Sequence, residues 1–461
     1  MAASGGDWRD SLFAIVCPIM PAGYPTVRPY KMLDLTNNSK LDSDFTLTRA
    51  TTATFVNASG FQEVAPMDAP RPNYDPLTGE YLGLLMEAES ANLLPWSNDI
   101  SHPSWYYAPQ NAPLQSGFTG VSNTASAYRI GEGTVPGLWE VGTTITLSSR
   151  TQVAHSAFIK SDGVSKGYLQ FIGLTASGEI VGNVLVNFDL TKGEVYPENY
   201  GTNLLAAKIQ RRRNGWYRIG ALGNMATSAT TGLLLLRLRD DDDSTFYQGR
   251  GRGLLVDGFQ VESNVPGSQN TLISSFIPTA GVALSRSRDL LRSRSSTIGD
   301  WYVQSSGVLS QEVLIDDADW YDGGRGYALA TNTATGARAE HRYTCSAENS
   351  LGLFGAVGSG SLVDYTTANI NIGNGLEPWE TPASGTGTSR AIQLNSAFAF
   401  SSSGLTLVIN GAVAATNASG LAPSGVDRLD IAPVSAGAFT LRRFAFYPSL
   451  SNSELELITR P

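Results

Sequence analysis

Cysteine and histidine are scarce in this chain of 461 residues. There are only two cysteines, Cys17 and Cys345, far apart in sequence. They cannot form a disulfide framework, so assembly in a reducing cytoplasm is permitted. The three histidines, His102, His155 and His341, stand alone and lack the spacing of a transition-metal site. No apolar run approaches the ~18 residues of a membrane span. The most apolar leader piece, residues 12–20 (LFAIVCPIM), is broken by Pro18 and preceded by Arg9 between Asp7 and Asp10. That flank suits a docking strand better than a cleaved signal. Charge is also sparse, at 16% of residues, against about 25% in an ordinary soluble domain. The net charge of −9 gives no general attraction to nucleic acid, which needs a basic field.

What the chain does contain points to strands. Glycine is frequent (48 residues) and aromatics reach 9%, the balance produced by many short strands joined by tight turns. Residues 1–43 are punctuated by Pro18, Pro21, Pro25 and Pro29, and read either as an irregular anchor ordered by a partner or as a flexible leader. Residues 95–290 show alternation of period two, with Val184, Val186, Phe188 and Leu190 on one face, then a turn at Thr191-Lys192-Gly193. Trp216 opens a strand there and is expected in the core. Residues 291–461 read as a second β-unit. Within it, residues 405–413 (LTLVINGAV) predict a hairpin on a type I′ Asn-Gly turn. Ser451 and Glu454 predict a capping box before a short terminal helix. The expected architecture is all-β: two β-sandwiches in series, a jelly roll and a concanavalin-A-like sandwich, behind an irregular N-terminal anchor.

Two stretches carry a resemblance. The first runs through Phe45, Arg49, Ala53, Thr54, Val56, Gly60, Pro70, Arg71, Tyr74, Asp75, Pro76, Thr78, Gly79, Gly83, Leu84, Leu85, Glu87, Asn92, Leu93 and Leu94. The second comprises Gln260, Glu262, Ser274, Ile277, Pro278, Thr279, Gly281, Ala283, Arg286 and Asp289, with Phe276 where a Tyr is usual. Together they resemble phage head-spike-fibre and tail-fibre proteins with a carbohydrate-binding-module-like jelly roll. Residues 405–411 and 442–455 resemble a concanavalin-A-like, laminin-G-type lectin sandwich. The division this implies is an anchor at 1–43, a signature segment at 44–94, the jelly roll at 95–290 and the lectin-like sandwich at 291–461. The implied role is a virion component, in head spike or tail fibre, assembled in the host cytoplasm. It would attach the particle to bacterial surface polysaccharide and contact other virion proteins through the N-terminal segment. Weak single sites favour multivalency, so a homotrimer is expected. Arg71 and Glu87 are read as an ion pair bracing a turn, and the polar run from Arg286 to Arg294 as lying outside any core.

Sugar binding needs an aromatic face and nearby polar groups for the hydroxyls. The candidates are Trp320, Tyr321, Asp322 and Arg325 in a turn-rich segment, then Trp379, Trp105 and Tyr107. Each competes with a simpler reading as a ring packed under its own loop. The aspartates at 240–243 could attract calcium, but four in a row cannot all face one ion, and they read as a solvated turn, so no cofactor is expected. The basic run at residues 208–213 (KIQRRR) reads as a solvated edge rather than a phosphate site. Glu312 and Asp316 lack the spacing of a glycanase acid pair, and no nucleophile elbow is present. The sequence reading is therefore of a protein that is not an enzyme, with a capsule-degrading glycanase or a structural decoration protein as alternatives.

Overall fold

The computed structural model describes residues 28–108, 114–147, 152–197, 203–263, 273–315, 323–346, 350–359, 362–371, 392–420, 423–433 and 437–461. Strands dominate, and they stack as two sandwiches. In the first, one six-stranded sheet centres on Gln152–Asp162 and Gly253–Ser263, and the other on Lys166–Leu174 and Thr231–Arg239. Their inner faces bury Trp139, Val153, Phe171, Val186, Leu236 and Phe259. Trp216 is buried, as expected, though it packs in a smaller cluster with Phe158 and Phe276.

The second sandwich is not built from consecutive chain. Strand Lys31–Asp34 pairs antiparallel with Ala438–Tyr447, placing Lys31 opposite Phe446. Phe45–Thr48 pairs with Leu290–Ser293, and Tyr81–Glu87 pairs with Ala438–Tyr447 through Met86 opposite Phe439. Leu33, Phe45, Leu47, Leu84 and Met86 therefore share one core with Leu309, Phe398, Leu429 and Phe444. The segments expected as anchor and signature, from Lys31 onward, are structural strands of this sandwich, and the boundaries at 43 and 290 do not separate packed units. The first sandwich is inserted between them. The chain enters through Ser90–Asn92 and leaves through Leu284–Arg286, and these two strands pair with each other as a neck.

Local chemistry explains the elements. Gly404–Ile409 and Ala412–Asn417 pair across Asn410 and Gly411, whose φ of 46° and 85° are the left-handed pair a type I′ turn requires. Ser451 caps helix Asn452–Ile458: its Oγ accepts from Glu454 N at 3.4 Å, and Ser451 N donates back to Glu454 Oε2 at 2.8 Å. Four aspartates at 240–243 form a turn in which Asp240 Oδ1 accepts from Asp242 N at 3.0 Å and Ser244 N at 2.7 Å. Among the described residues no helix is long and apolar enough to cross a membrane, and no group of acidic, His or Cys side chains could hold a metal.

Candidate functional site at the junction of the sandwiches

The neck is held by buried charges, among them Arg71 and Glu87, read from the sequence as a turn brace, and Arg286, expected outside the core. Arg49, Arg71, Arg286 and Asp289 are each at most 1% exposed, and Glu87 only 4%. Arg49 Nη1 donates to Asp289 Oδ1 at 2.9 Å, and Arg71 pairs with the other oxygen of the same carboxylate. Arg71 Nη1 also reaches Glu87 Oε2 at 2.5 Å, and Arg286 Nη1 lies 3.0 Å from that atom. Ser275 donates to both Glu87 oxygens, from N at 2.7 Å and Oγ at 2.6 Å. Burial alone would raise the Glu87 carboxyl; Arg286, Arg71 and Ser275 overcome it and bring it down to about 2. Within the run from Arg286, Arg286 and Asp289 are thus buried, because their charges meet partners from strands about 200 positions earlier, while Arg288 and Arg294 are exposed, as expected. The Arg71–Glu87 pair is a buried node rather than a turn brace.

The rest of the signature does similar work with neutral groups. Asn92 Nδ2 donates to the carbonyls of Phe259 and Ile277 at 3.2 and 2.9 Å, while its Oδ1 accepts from Leu94 N and Val261 N. Gln260 Oε1 accepts from Ile277 N at 2.6 Å, and Glu262 takes Ser274 N and Oγ. Thr279 and Ser97 exchange hydrogen bonds through their hydroxyls and backbone N–H groups. These buried donors and acceptors would be costly if left unpaired, so each residue type is fixed by its neighbour.

Against this neck lies a cleft of about 280 Å³. Both sandwiches line it: Phe55, Tyr74, Asp75 and Thr440 on one side, Lys208, Arg211, Arg212, Arg218 and Phe276 on the other, with Glu87 and Ser275 at the neck. Four basic side chains thus face two acidic ones. Glu87 is already matched by Arg71 and Arg286, and Asp75 Oδ1 accepts from Leu77 N and Thr78 N in its own turn.

The two arginines nearest the first sandwich are held in an unusual way. Arg212 is 4% exposed; its guanidinium stands 4.6 Å from the centroid of the Phe158 ring, and that of Arg218 5.3 Å from the same ring. Arg212 Nη1 donates to Gln62 Oε1 at 3.1 Å, and Arg218 Nη2 to Ser156 Oγ at 3.1 Å. The Nε of each has no partner. Neither forms an ion pair among the described residues. Burial, with repulsion from Arg218, pulls Arg212 down to about 9, so it remains a cation at neutral pH. The KIQRRR segment is therefore not simply a solvated edge.

The residues singled out in the sequence fare differently. Trp320, Tyr321, Asp322 and Trp379 lie outside the described residues, and Arg325 is placed on strand Gly323–Thr331 only by its backbone. Trp105 is 4% exposed, its ring 4.9 Å from that of Phe259 and its Nε1 donating to Trp96 O. It offers no free face to a sugar. Tyr107 is half-buried, its hydroxyl bound to Ile100 O. Neither ring lines the cleft. Tyr74, Arg212 and Arg218 do, and no sequence pattern marked them as a group.

No family model matches the chain, and no curated protein matches it. Among solved structures it is similar to domains LG4-5 of the mouse laminin alpha1 chain, 11% identical over 74% of this chain and 93% of that one, with a TM-score of 0.21. It is also similar to the Trypanosoma rangeli sialidase in complex with 2,3-difluorosialic acid, a covalent intermediate: 8% identical over 89% of this chain and 83% of that one, TM-score 0.23. The expectation that the protein is not an enzyme is corrected here, since one of the chains it is similar to is itself an enzyme. At this identity the likeness assigns no reaction to the present chain.

Proposed function

We propose that the protein is a spike or fibre component of a phage or phage-derived particle, and that it attaches the particle to bacterial surface polysaccharide through the junction cleft. The observation that supports the carbohydrate part is the cleft itself. At about 280 Å³ it sits at the small end of ligand pockets, which run from about 300 Å³ upward. It combines ring edges with unsatisfied cationic donors, and its walls are locked by the buried charges of the neck. Such pre-organisation lowers the entropy lost on binding. The virion setting rests on the sequence resemblance alone. A homotrimer is the proposed assembly, because linked weak sites gain avidity steeply, with the N-terminal segment as the contact to other virion proteins.

The test is adhesion. Purified protein is expected to bind capsulated cells and not an acapsular strain of the same host, and light scattering is expected to give three times the chain mass. The length of the recovered polysaccharide is measured in the same assay, since shortened chains would move the reading to a depolymerase. Equal binding to both strains would remove surface polysaccharide as the receptor.

A further inference from the structure

The fully buried arginines of the neck each have a carboxylate. Arg49 has Asp289, Arg71 has Asp289 and Glu87, and Arg286 has Glu87. Arg212 and Arg218 lack one. Glu262 and Glu87 contribute favourable charge to Arg218, yet no oxygen of either comes within ion-pair distance of it among the described residues. An uncompensated buried cation costs several kcal/mol in real proteins, and here the buried Arg212 and the partly exposed Arg218 share one aromatic ring. Cation–π contact with Phe158 and single bonds to Gln62 and Ser156 offset part of that cost. Both Nε atoms remain without acceptors among the described residues, as do Arg71 Nε and Arg286 Nε in the neck, so the missing carboxylate is what sets Arg212 and Arg218 apart.

We infer that Arg212 and Arg218 are the seat for an anionic group on the ligand, so that the cleft takes an acidic sugar. The inference rests on the carbohydrate reading above and narrows it to a substrate class. A guanidinium offers planar paired donors that match the two oxygens of a carboxylate, or two oxygens of a sulfate or phosphate ester. An extended nucleic acid fits less well: the whole chain carries −9, and polyanion binding needs a broad basic field rather than a cleft of this size. Tyr74 and Phe276, on the cleft wall, supply the apolar contact that a sugar ring requires.

The experiment is calorimetric titration of the full chain with three hexasaccharides: oligogalacturonate, a sulfated glucan and neutral maltohexaose. Inorganic phosphate is titrated alone and as a competitor. The acidic hexamers are expected to bind and the neutral one to bind at least tenfold more weakly, with phosphate displacing the acidic hexamer. Comparison of the carboxylated and sulfated arms identifies the anion. Arg212→Gln and Arg218→Gln are each expected to weaken acidic binding by about thirtyfold or more, the lower end of the loss on truncating one partner of a buried charge pair. Arg212→Lys, which keeps the charge but not the paired donors, is expected to fall between, and the exposed Lys192→Gln to match the native chain. Circular dichroism and the unfolding midpoint establish that each variant is folded. Equal binding of acidic and neutral hexamers, or acidic binding indifferent to both arginine variants, overturns the inference. If no acidic hexamer binds while the protein still adheres to capsulated cells, the inference falls and the carbohydrate reading stands; loss of capsule-dependent adhesion removes both.

Discussion

The neck and the cleft beside it use the same residue types and treat them in opposite ways. In the neck, Arg49, Arg71, Arg286, Glu87 and Asp289 form a nearly closed network: the Asp289 carboxylate alone takes Arg49, Arg71 and the backbone N of Glu87. In the cleft, Arg212 and Arg218 are packed on one ring with only neutral acceptors. Buried ion pairs seldom add much net stability, but removing one partner is expensive because the other is left buried and bare. The neck is thus a device that fixes how the inserted sandwich joins its host. The cleft holds part of the same arrangement, with no carboxylate within ion-pair distance of Arg212 or Arg218 among the described residues. A site of interaction is marked less by the presence of charge than by charge the fold has left unmatched.

The largest expected effect comes from breaking the closed side. Asp289→Ala strands Arg49, leaves Arg71 paired with Glu87 alone and should cost about 3–5 kcal/mol, read as a lowered urea midpoint; a loss below about 1 kcal/mol would show that the network is not what holds the neck.

Acid should act on the same network. Glu87 titrates at about 2 in the folded chain against an ordinary value of 4.5. The lower folded value means that its contribution is whole above pH 4.5 and is lost as pH falls toward 2. The difference is worth roughly 3 kcal/mol. The thermal midpoint should therefore drop steeply between pH 4.5 and 2, and less steeply in Glu87→Gln. His155 adds to acid sensitivity at a higher pH. Burial pushes it from 6.5 to about 4, so the stability of its neutral form erodes as pH falls from 6.5 toward 4.

On the open side the sign reverses. Arg212→Met removes a cation without a counter-ion, and stability in the absence of ligand should hold or rise by on the order of 1 kcal/mol. A drop of several kcal/mol would mean that Arg212 is as structural as Arg71, and the contrast would collapse. The smallest effect is a control far from both. Ser451→Ala removes the cap of helix Asn452–Ile458 and should cost about 1 kcal/mol without altering saccharide binding.

Much of the fold could be read from the chain directly. The Asn410-Gly411 hairpin, the Ser451 capping box, the core position of Trp216 and the all-β class follow from patterns a few residues long. The order of the strands could not be read this way. Lys31–Asp34 lies beside Ala438–Tyr447, and nothing in four residues of alternation names a partner 400 positions away. The candidate site was less legible still. Trp105 and Tyr107 looked like a sugar platform because adjacent aromatics often are one, but Trp105 packs inward against Phe259. Arg212, in a run of three arginines before an Asn-Gly turn, has the local look of a solvated residue.

The sequence by itself determined that this chain folds as β-sandwiches, since turn residues and two-residue periodicity act over a single hydrogen-bonded unit. It also marked Arg49, Arg71, Glu87, Arg286 and Asp289 as part of one signature without saying what they do. Only the tertiary structure decided which of the arginines are neutralised and which are not. Arg49 and Asp289 are 240 positions apart, and the balance of a buried charge depends on neighbours brought close by the fold rather than by the chain.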